Sequence, residues 1–166
     1  MLALALTMLI VFAGGAIVWA HDHHVPRAHL EVNGEEARLG PWSIEWVSGN
    51  GTSCAAMSVD GIPNFRPIVE VDHSHVGLKV VFHKEERPRA VAAYVDDRLE
   101  NGYLANGRRV PVDLHARRSD GRRFWVAQMH VTLHRRLFFD VNGRWRDEQG
   151  CGGREDANWS FRLRRV

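Results

Sequence analysis

Seven tight-turn dipeptides punctuate the chain and limit what it can fold into. Five are Asn-Gly and two are Asp-Gly, at positions 33–34, 50–51, 101–102, 106–107, 142–143, 60–61 and 120–121. Both dipeptides favour the positive backbone φ angles that two-residue β-hairpin turns require. Such a density of hairpin signals is typical of an all-β chain and leaves little room for long helices.

The segments between these turns alternate apolar and polar residues with a period of two. In residues 76–82 every second side chain is apolar, and the same pattern runs through 110–117, 125–131, 137–145 and 159–163. Strands with one apolar face and one solvent-exposed polar face are typical of antiparallel sheets that pack face to face. We therefore predict an antiparallel β-sandwich, immunoglobulin-like or similar, over residues 29–166. Residues 90–100 are rich in alanine, which favours a short helix there.

Tryptophan is abundant in this chain, and its placement has two interpretations. Flat indoles stack on sugar rings, so a carbohydrate-binding platform is one of them. Trp125, Trp145 and Trp159 fall on the apolar lines, however, which favours core packing for those three. Trp42 and Trp46 are evenly spaced around Ile44, so they too are expected to face inward.

Residues 1–20 carry no charged side chain and contain only three residues that are not apolar. Such a stretch predicts a hydrophobic helix that serves as a signal peptide, with cleavage after Ala20, or as an uncleaved membrane anchor. Either way, the rest of the chain is exported, into the periplasm or medium or tethered to the membrane. Residues 21–28 are expected to form a polar, histidine-rich linker before the β domain.

The chain has two cysteines, Cys54 and Cys151. An even count in a small exported domain predicts a disulfide, and only one intramolecular pairing exists. Zinc is a poor alternative because neither cysteine has a second cysteine or a histidine at ligand spacing.

Charge is distributed unevenly along the chain. Residues 21–100 hold 8 basic and 13 acidic side chains, whereas residues 101–166 hold 14 basic and 7 acidic ones. Several arginine pairs flank turns, notably Arg117, Arg118, Arg122 and Arg123, which we predict to form an anion-binding surface. An envelope polymer or an extracytoplasmic protein is the expected partner, and nucleic acid is least favoured because the domain is exported. The plainer alternative is a solvated basic surface.

Ten histidines lie in the part of the chain after residue 20. Cleavage after Ala20 would expose His21 at the new terminus, with His23 third, an arrangement that suits Cu(II) or Ni(II). His73 and His75 would point to the same side of an extended strand and form a second candidate metal pair. A terminal histidine that leads into a small β-sandwich is similar to the histidine-brace copper proteins, including periplasmic copper carriers. That resemblance covers His21 and the architecture, and it implies copper as the cofactor. Otherwise no cofactor is predicted, and a solvated tail is the alternative.

Motifs for catalysis are absent from the sequence: there is no GxSxG, HExxH, Walker A or strand-to-helix GxGxxG pattern. Asp113 and His115 could form an acid/base pair on one strand face, although alternation produces such pairs by chance. We therefore expect an exported, non-catalytic β-sandwich domain that binds an envelope polymer or a partner protein. Binding of copper or another divalent metal through His21 and internal histidines is the alternative.

Overall fold

The computed structural model describes residues 25–49, 53–146, 151, 153 and 155–166. This part of the chain forms β-strands and no helix, which confirms the all-β prediction. The predicted helix at residues 1–20 and the histidines at 21, 23 and 24 lie outside the described residues. The strands are β1 Arg27–Val32, β2 Glu35–Leu39, β3 Pro41–Gly49, β4 Cys54–Asp60, β5 Ile68–Val71, β6 His75–His83, β7 Ala90–Asp96, β8 Leu99–Glu100, β9 Tyr103–Leu104, β10 Arg108–Val110, β11 Asp113–Ser119, β12 Arg122–Thr132, β13 Arg136–Trp145 and β14 Glu155–Arg165.

The strands form two large sheets and a small hairpin. The first sheet has the order β11-β12-β6-β1-β2, and the second has the order β10-β7-β13-β14-β3-β4. Neighbours run antiparallel, as predicted, with one exception. The first half of β14 pairs with β3, and its second half pairs with β5 in the parallel direction along the same edge. The β8-β9 hairpin stands apart from both sheets.

One hydrophobic core is shared by the two sheets. Phe82 of the first sheet is fully buried, and its ring centroid lies 5.6 Å from that of Trp145 and 5.2 Å from that of Trp159, both in the second sheet. The predicted apolar lines of β6, β12, β13 and β14 supply most of this core. Removing these large side chains from water is the main favourable term in holding the sheets together.

Several of the predicted turns are present. In three dipeptides both residues have positive φ, as the two-residue hairpin turn requires: Asn33-Gly34, Asn101-Gly102 and Asp120-Gly121. The dipeptide Asn142-Gly143 instead continues β13 without a turn. A Cβ on Gly143 would lie 2.6 Å from the ring of Trp145, so glycine is needed there to make room for the indole rather than to bend the chain.

Two local expectations were wrong. The alanine-rich segment forms strand β7, because Ala93 and Val95 alternate into the core. The apolar line at 110–117 is not one strand: β10 pairs with β7 in the second sheet, and β11 pairs with β12 in the first. The chain changes sheets at Pro111, which has no N–H to donate to a sheet. The apolar alternation continues across the crossing because both strands border the same core.

The expectation that Trp42 faces inward was also wrong, because its side chain does not face the core. The register between β14 and β3 shifts where Asn158 pairs with Ser43 and Trp159 pairs with Pro41, which leaves Trp42 as an extra residue. An extra residue in one strand is a β-bulge, and it reverses the face on which the side chain lies. Trp46, beyond the bulge, is buried as predicted.

The predicted disulfide is confirmed between Cys54 and Cys151, whose Cα atoms are 5.9 Å apart. It ties the start of β4 to the segment that precedes β14. Disulfides persist in oxidising compartments, so the bridge points to an extracytoplasmic environment. Among the described residues no helix has the length and apolar character needed to cross a membrane.

Candidate anion-binding site

The four arginines that the sequence singled out lie on the β11-β12 hairpin. Arg118 pairs with Arg123 across the two strands, and Arg122 stands at the turn. Arg117 differs from the others, because its Nη1 lies 2.7 Å from Oε1 of Glu31. Burial opposes the charge of Glu31, but hydrogen bonds from His29 and Arg117 outweigh it and lower the pKa of that carboxyl. Arg117 is therefore neutralised, and the other three arginines are exposed.

A denser basic group lies where β13 begins and β14 ends, and we call it the arginine cluster. It lines a cavity of about 360 Å³ and consists of Arg135, Arg136, Arg162, Arg164 and Arg165. The pairing of β13 with β14 brings the five together. Arg136 lies directly opposite Arg164, and the backbone N–H of Arg165 donates to the carbonyl of Arg135 over 2.8 Å.

Few acidic groups balance the arginine cluster. Arg164 forms an ion pair with Glu70 of β5, and Nε of Arg136 donates to the backbone carbonyl of Asp97 over 3.2 Å. Within the described part of the chain, the buried Nε of Arg162 has no hydrogen-bond partner. Like charges directly opposite each other in a sheet are destabilising, and a buried donor without a partner costs free energy. These two features oppose the stability of the fold in the absence of a ligand.

Phe138 contacts two members of the arginine cluster. The guanidinium carbons of Arg136 and Arg162 each lie 5.6 Å from its ring centroid, on neighbouring positions of the same sheet face. Cations over an aromatic face are held by the ring quadrupole. Phe65 packs edge-on against Phe138 with 5.2 Å between ring centroids, and both rings are buried. Both guanidinium groups thus contact the same aromatic ring.

A second cavity of about 510 Å³ adjoins the first and shares Arg135 and Arg136. Its basic lining residues also include Arg98, Arg108 and His134. Asp97 lines it too, and its Oδ1 lies 3.8 Å from Nε of Arg98. Asp96 is the other acidic lining residue, and its carboxylate accepts hydrogen bonds from the backbone N–H groups of Arg98 and Asn106. Burial would raise the pKa of Asp96, yet these bonds lower it. That acid therefore holds a loop in place, and the basic surface continues from one cavity into the next.

Sequence reasoning did not place a site at the arginine cluster. The dipeptides Arg135-Arg136 and Arg164-Arg165 are visible in the sequence, but only the strand pairing brings them side by side. Arg162 has no arginine neighbour in the chain and gives no such signal.

The histidines predicted to bind metal within the fold lie apart from any cluster of ligands found in the described residues. His73 lies in a bend with its Nδ1 2.6 Å from Asp72, and His75 begins β6 beside the Ser74 hydroxyl. The hydrogen bond with His73 lowers the pKa of Asp72. Asp113 and His115 form an exposed pair with 3.6 Å between Oδ2 and Nδ1.

A different group of possible metal ligands lies on the outer face of β1 and β2. His29, Glu31 and Glu36 each offer an atom within 4.8 Å of the others. Nδ1 of His29 is 2.6 Å from Nε2 of His83, so one ring donates a hydrogen bond to the other. Burial, aided by the charges of His29 and Arg117, lowers the pKa of His83 and favours its neutral form.

Comparison with known proteins places the chain in no family: no protein-family model matches it, and no match to a curated protein was found.

Proposed function

We propose that this chain is an exported, non-catalytic binding domain that holds an anionic polymer of the cell envelope in the arginine cluster. The observation that carries the proposal is a cavity lined by five arginines, in which Glu70 alone among the described residues pairs with one of them through a carboxylate. Arg guanidinium groups match phosphate and carboxylate in geometry and charge. A ligand of that kind would supply the charge balance that the described residues lack.

The architecture and the compartment are parts of the same proposal. Two sheets that share one core support a β-sandwich of immunoglobulin-like or similar type. The disulfide supports export, and residues 1–20 would act as the signal peptide or membrane anchor that directs it.

Binding of polyphosphate of defined length tests the proposed function. We expect isothermal titration to show binding whose affinity falls steeply as salt rises from about 50 to 500 mM, because the contacts are between charges. The double variant Arg136→Gln/Arg162→Gln should bind at least tenfold more weakly. The matched control is Arg118→Gln/Arg122→Gln, which removes the same charge from the hairpin. Equal losses in the two variants, or no binding to the wild type at low salt, would overturn the proposal.

Divalent-metal binding is the second candidate, favoured by the group formed by His29, Glu31 and Glu36. A Cu(II) or Zn(II) ion there would have to compete with Arg117 for Glu31. Titration of each ion into the wild type and into His29→Ala tests this candidate, with His130→Ala as the control for an exposed histidine outside the group. A specific site predicts at least tenfold weaker binding in His29→Ala alone. Indistinguishable titrations would overturn this candidate.

A further inference from the structure

A group of two exposed tyrosines and one half-buried tryptophan lies on the same sheet face as the arginine cluster. It consists of Trp42, Tyr94 and Tyr103, with Ile62 beside them, and we call it the aromatic patch. Tyr94 is 37% exposed, Tyr103 45% and Ile62 67%. Large apolar side chains exposed together on a small domain mark a binding surface more often than single ones do.

Trp42 and Asp140 form the centre of the aromatic patch. The β-bulge in β3 moves Trp42 to the outer face, where its indole N–H donates to Oδ1 of Asp140 over 3.1 Å. Asp140 lies directly opposite Tyr94 in the pairing of β13 with β7. A carboxylate has several acceptor positions, so Asp140 can accept a further hydrogen bond while it holds Trp42.

The β8-β9 hairpin completes the aromatic patch. It carries Tyr103, whose ring meets that of Trp42 edge to face with 6.2 Å between centroids. Gly102 in its turn has a φ of +86°, and a Cβ there would lie 2.8 Å from Cγ2 of Ile62. The hairpin is thus packed tightly against Ile62, which sets the position of Tyr103 relative to the sheet.

The aromatic patch and the arginine cluster lie on the same outer face of the second sheet, separated by Phe138, which is buried against Phe65. Arg136, Phe138 and Asp140 lie on the outer face of β13, because Leu137, Phe139 and Val141 alternate with them and belong to the core. At the usual rise of an antiparallel strand, Arg136 and Asp140 are about 14 Å apart. A ligand that spans this distance across Phe65 can contact both groups.

We propose that the ligand of this surface is an anionic polysaccharide, whose sugar rings stack on Trp42 and Tyr103 while its acidic groups enter the arginine cluster. Flat aromatic rings offer an apolar face to the C–H bonds of a sugar, and the polar atoms of Trp and Tyr tolerate the water around it. The carboxylate of Asp140 is placed to accept a hydrogen bond from a sugar hydroxyl. This inference rests on the proposed function and names the chemical class of the polymer.

Oligogalacturonate, a carboxylated sugar chain, and polyphosphate with the same number of charges are the two probes. In titrations with the purified chain, we expect oligogalacturonate to bind at least tenfold more tightly than polyphosphate. Tyr103→Ala should abolish that preference and change the polyphosphate affinity by less than twofold. Phe124→Ala is the matched control, because Phe124 lies on the first sheet and contacts His83 there. Arg136→Gln/Arg162→Gln should weaken binding of both probes.

Each contrary result has a distinct meaning. Equal affinity of the wild type for the two probes, or an equal loss of both in Tyr103→Ala, overturns the polysaccharide inference and leaves the proposed function standing. Failure of both probes to bind at low salt overturns the proposed function itself. Concentration-dependent dimerisation in sedimentation experiments, lost in Tyr103→Ala, would identify the aromatic patch as a protein interface and would also overturn the inference.

Discussion

Replacing Arg162 with methionine should make the ligand-free protein more stable, although it removes a residue that we assign to binding. The side chain lies on the outer face of β14 beside Phe138, and its buried Nε has no hydrogen-bond partner among the described residues. Methionine keeps an unbranched apolar stem of similar reach and has no donor to satisfy.

The expected gain follows from three contributions. Relief of a buried donor without a partner is worth about 1–3 kcal/mol, and the lower end applies because the rest of the guanidinium is partly exposed. Removing one of several like charges on adjacent strands adds about 0.2–1 kcal/mol. Loss of the contact with the Phe138 ring costs about 0.5–1 kcal/mol. The net gain is about 1 kcal/mol, or about 3 °C in Tm for a domain of this size.

Urea unfolding of the wild type and Arg162→Met, without ligand, measures this gain. Part of it should disappear at about 0.5 M salt, because repulsion between exposed charges is screened. Arg122→Met is the control, since Arg122 is an exposed residue at a turn, and its effect should stay within about 0.5 kcal/mol of zero. If Arg162→Met is less stable than the wild type by about 1 kcal/mol or more, the guanidinium of Arg162 stabilises the fold. That result would refute the expectation that Arg162 destabilises the ligand-free protein.

Two further predictions concern stability. The double variant Cys54→Ser/Cys151→Ser should lose about 4–5 kcal/mol of unfolding free energy in urea titrations, because the bridge closes a long loop in the unfolded chain. Its two cysteines are separated by 97 positions. Burial raises the pKa of Asp140, against the opposing hydrogen bond from Trp42. The contribution of protonated Asp140 to the unfolding free energy is therefore fully present below its pKa in the unfolded chain. This contribution is lost as the pH rises through its pKa in the folded protein. Asp140→Asn, which does not ionise, should gain stability relative to the wild type between about pH 4 and pH 7.

These two predictions have separate controls and contrary outcomes. Wild-type protein unfolded in the presence of a reductant should match the serine variant, and a loss below about 1 kcal/mol would mean that the unfolded chain is little constrained by the bridge. For Asp140, the matched variant is Asp120→Asn, an exposed turn aspartate whose substitution should give no pH-dependent difference. A difference between Asp140→Asn and the wild type that is constant with pH would contradict the burial argument.

The local regularities of the fold were predictable because they depend on neighbouring residues. Alternation in β6, β12, β13 and β14 predicted the buried side chains, since successive strand residues point to opposite faces. Predictions failed where the position of a residue depends on the strand that lies beside it. At Pro111 the chain crosses to the other sheet, and the alternation of apolar residues continues. At Trp42 a bulge against β14 interrupts the alternation. Gly143 lies within a strand because the ring of Trp145 needs the space.

The candidate site was less predictable than the fold. The arginine-rich second half of the chain was evident, but the four hairpin arginines chosen from it include one that Glu31 neutralises. The arginine cluster depends on the register of β13 with β14, and the aromatic patch depends on a bulge and a separate hairpin. None of these relations is visible in the spacing of residues along the chain.

By itself the sequence determined an all-β chain, one disulfide and the identity of most core side chains, because hairpin turns, a period of two and a single cysteine pair are local or combinatorial facts. Tertiary structure alone decided which charges and rings lie together on the surface. Arg136 meets Arg164, and Trp42 meets Asp140, across strands that are distant in sequence. The strand register that joins them is set by packing over the whole core, which is why function at this surface could be inferred only after the sheets were in place.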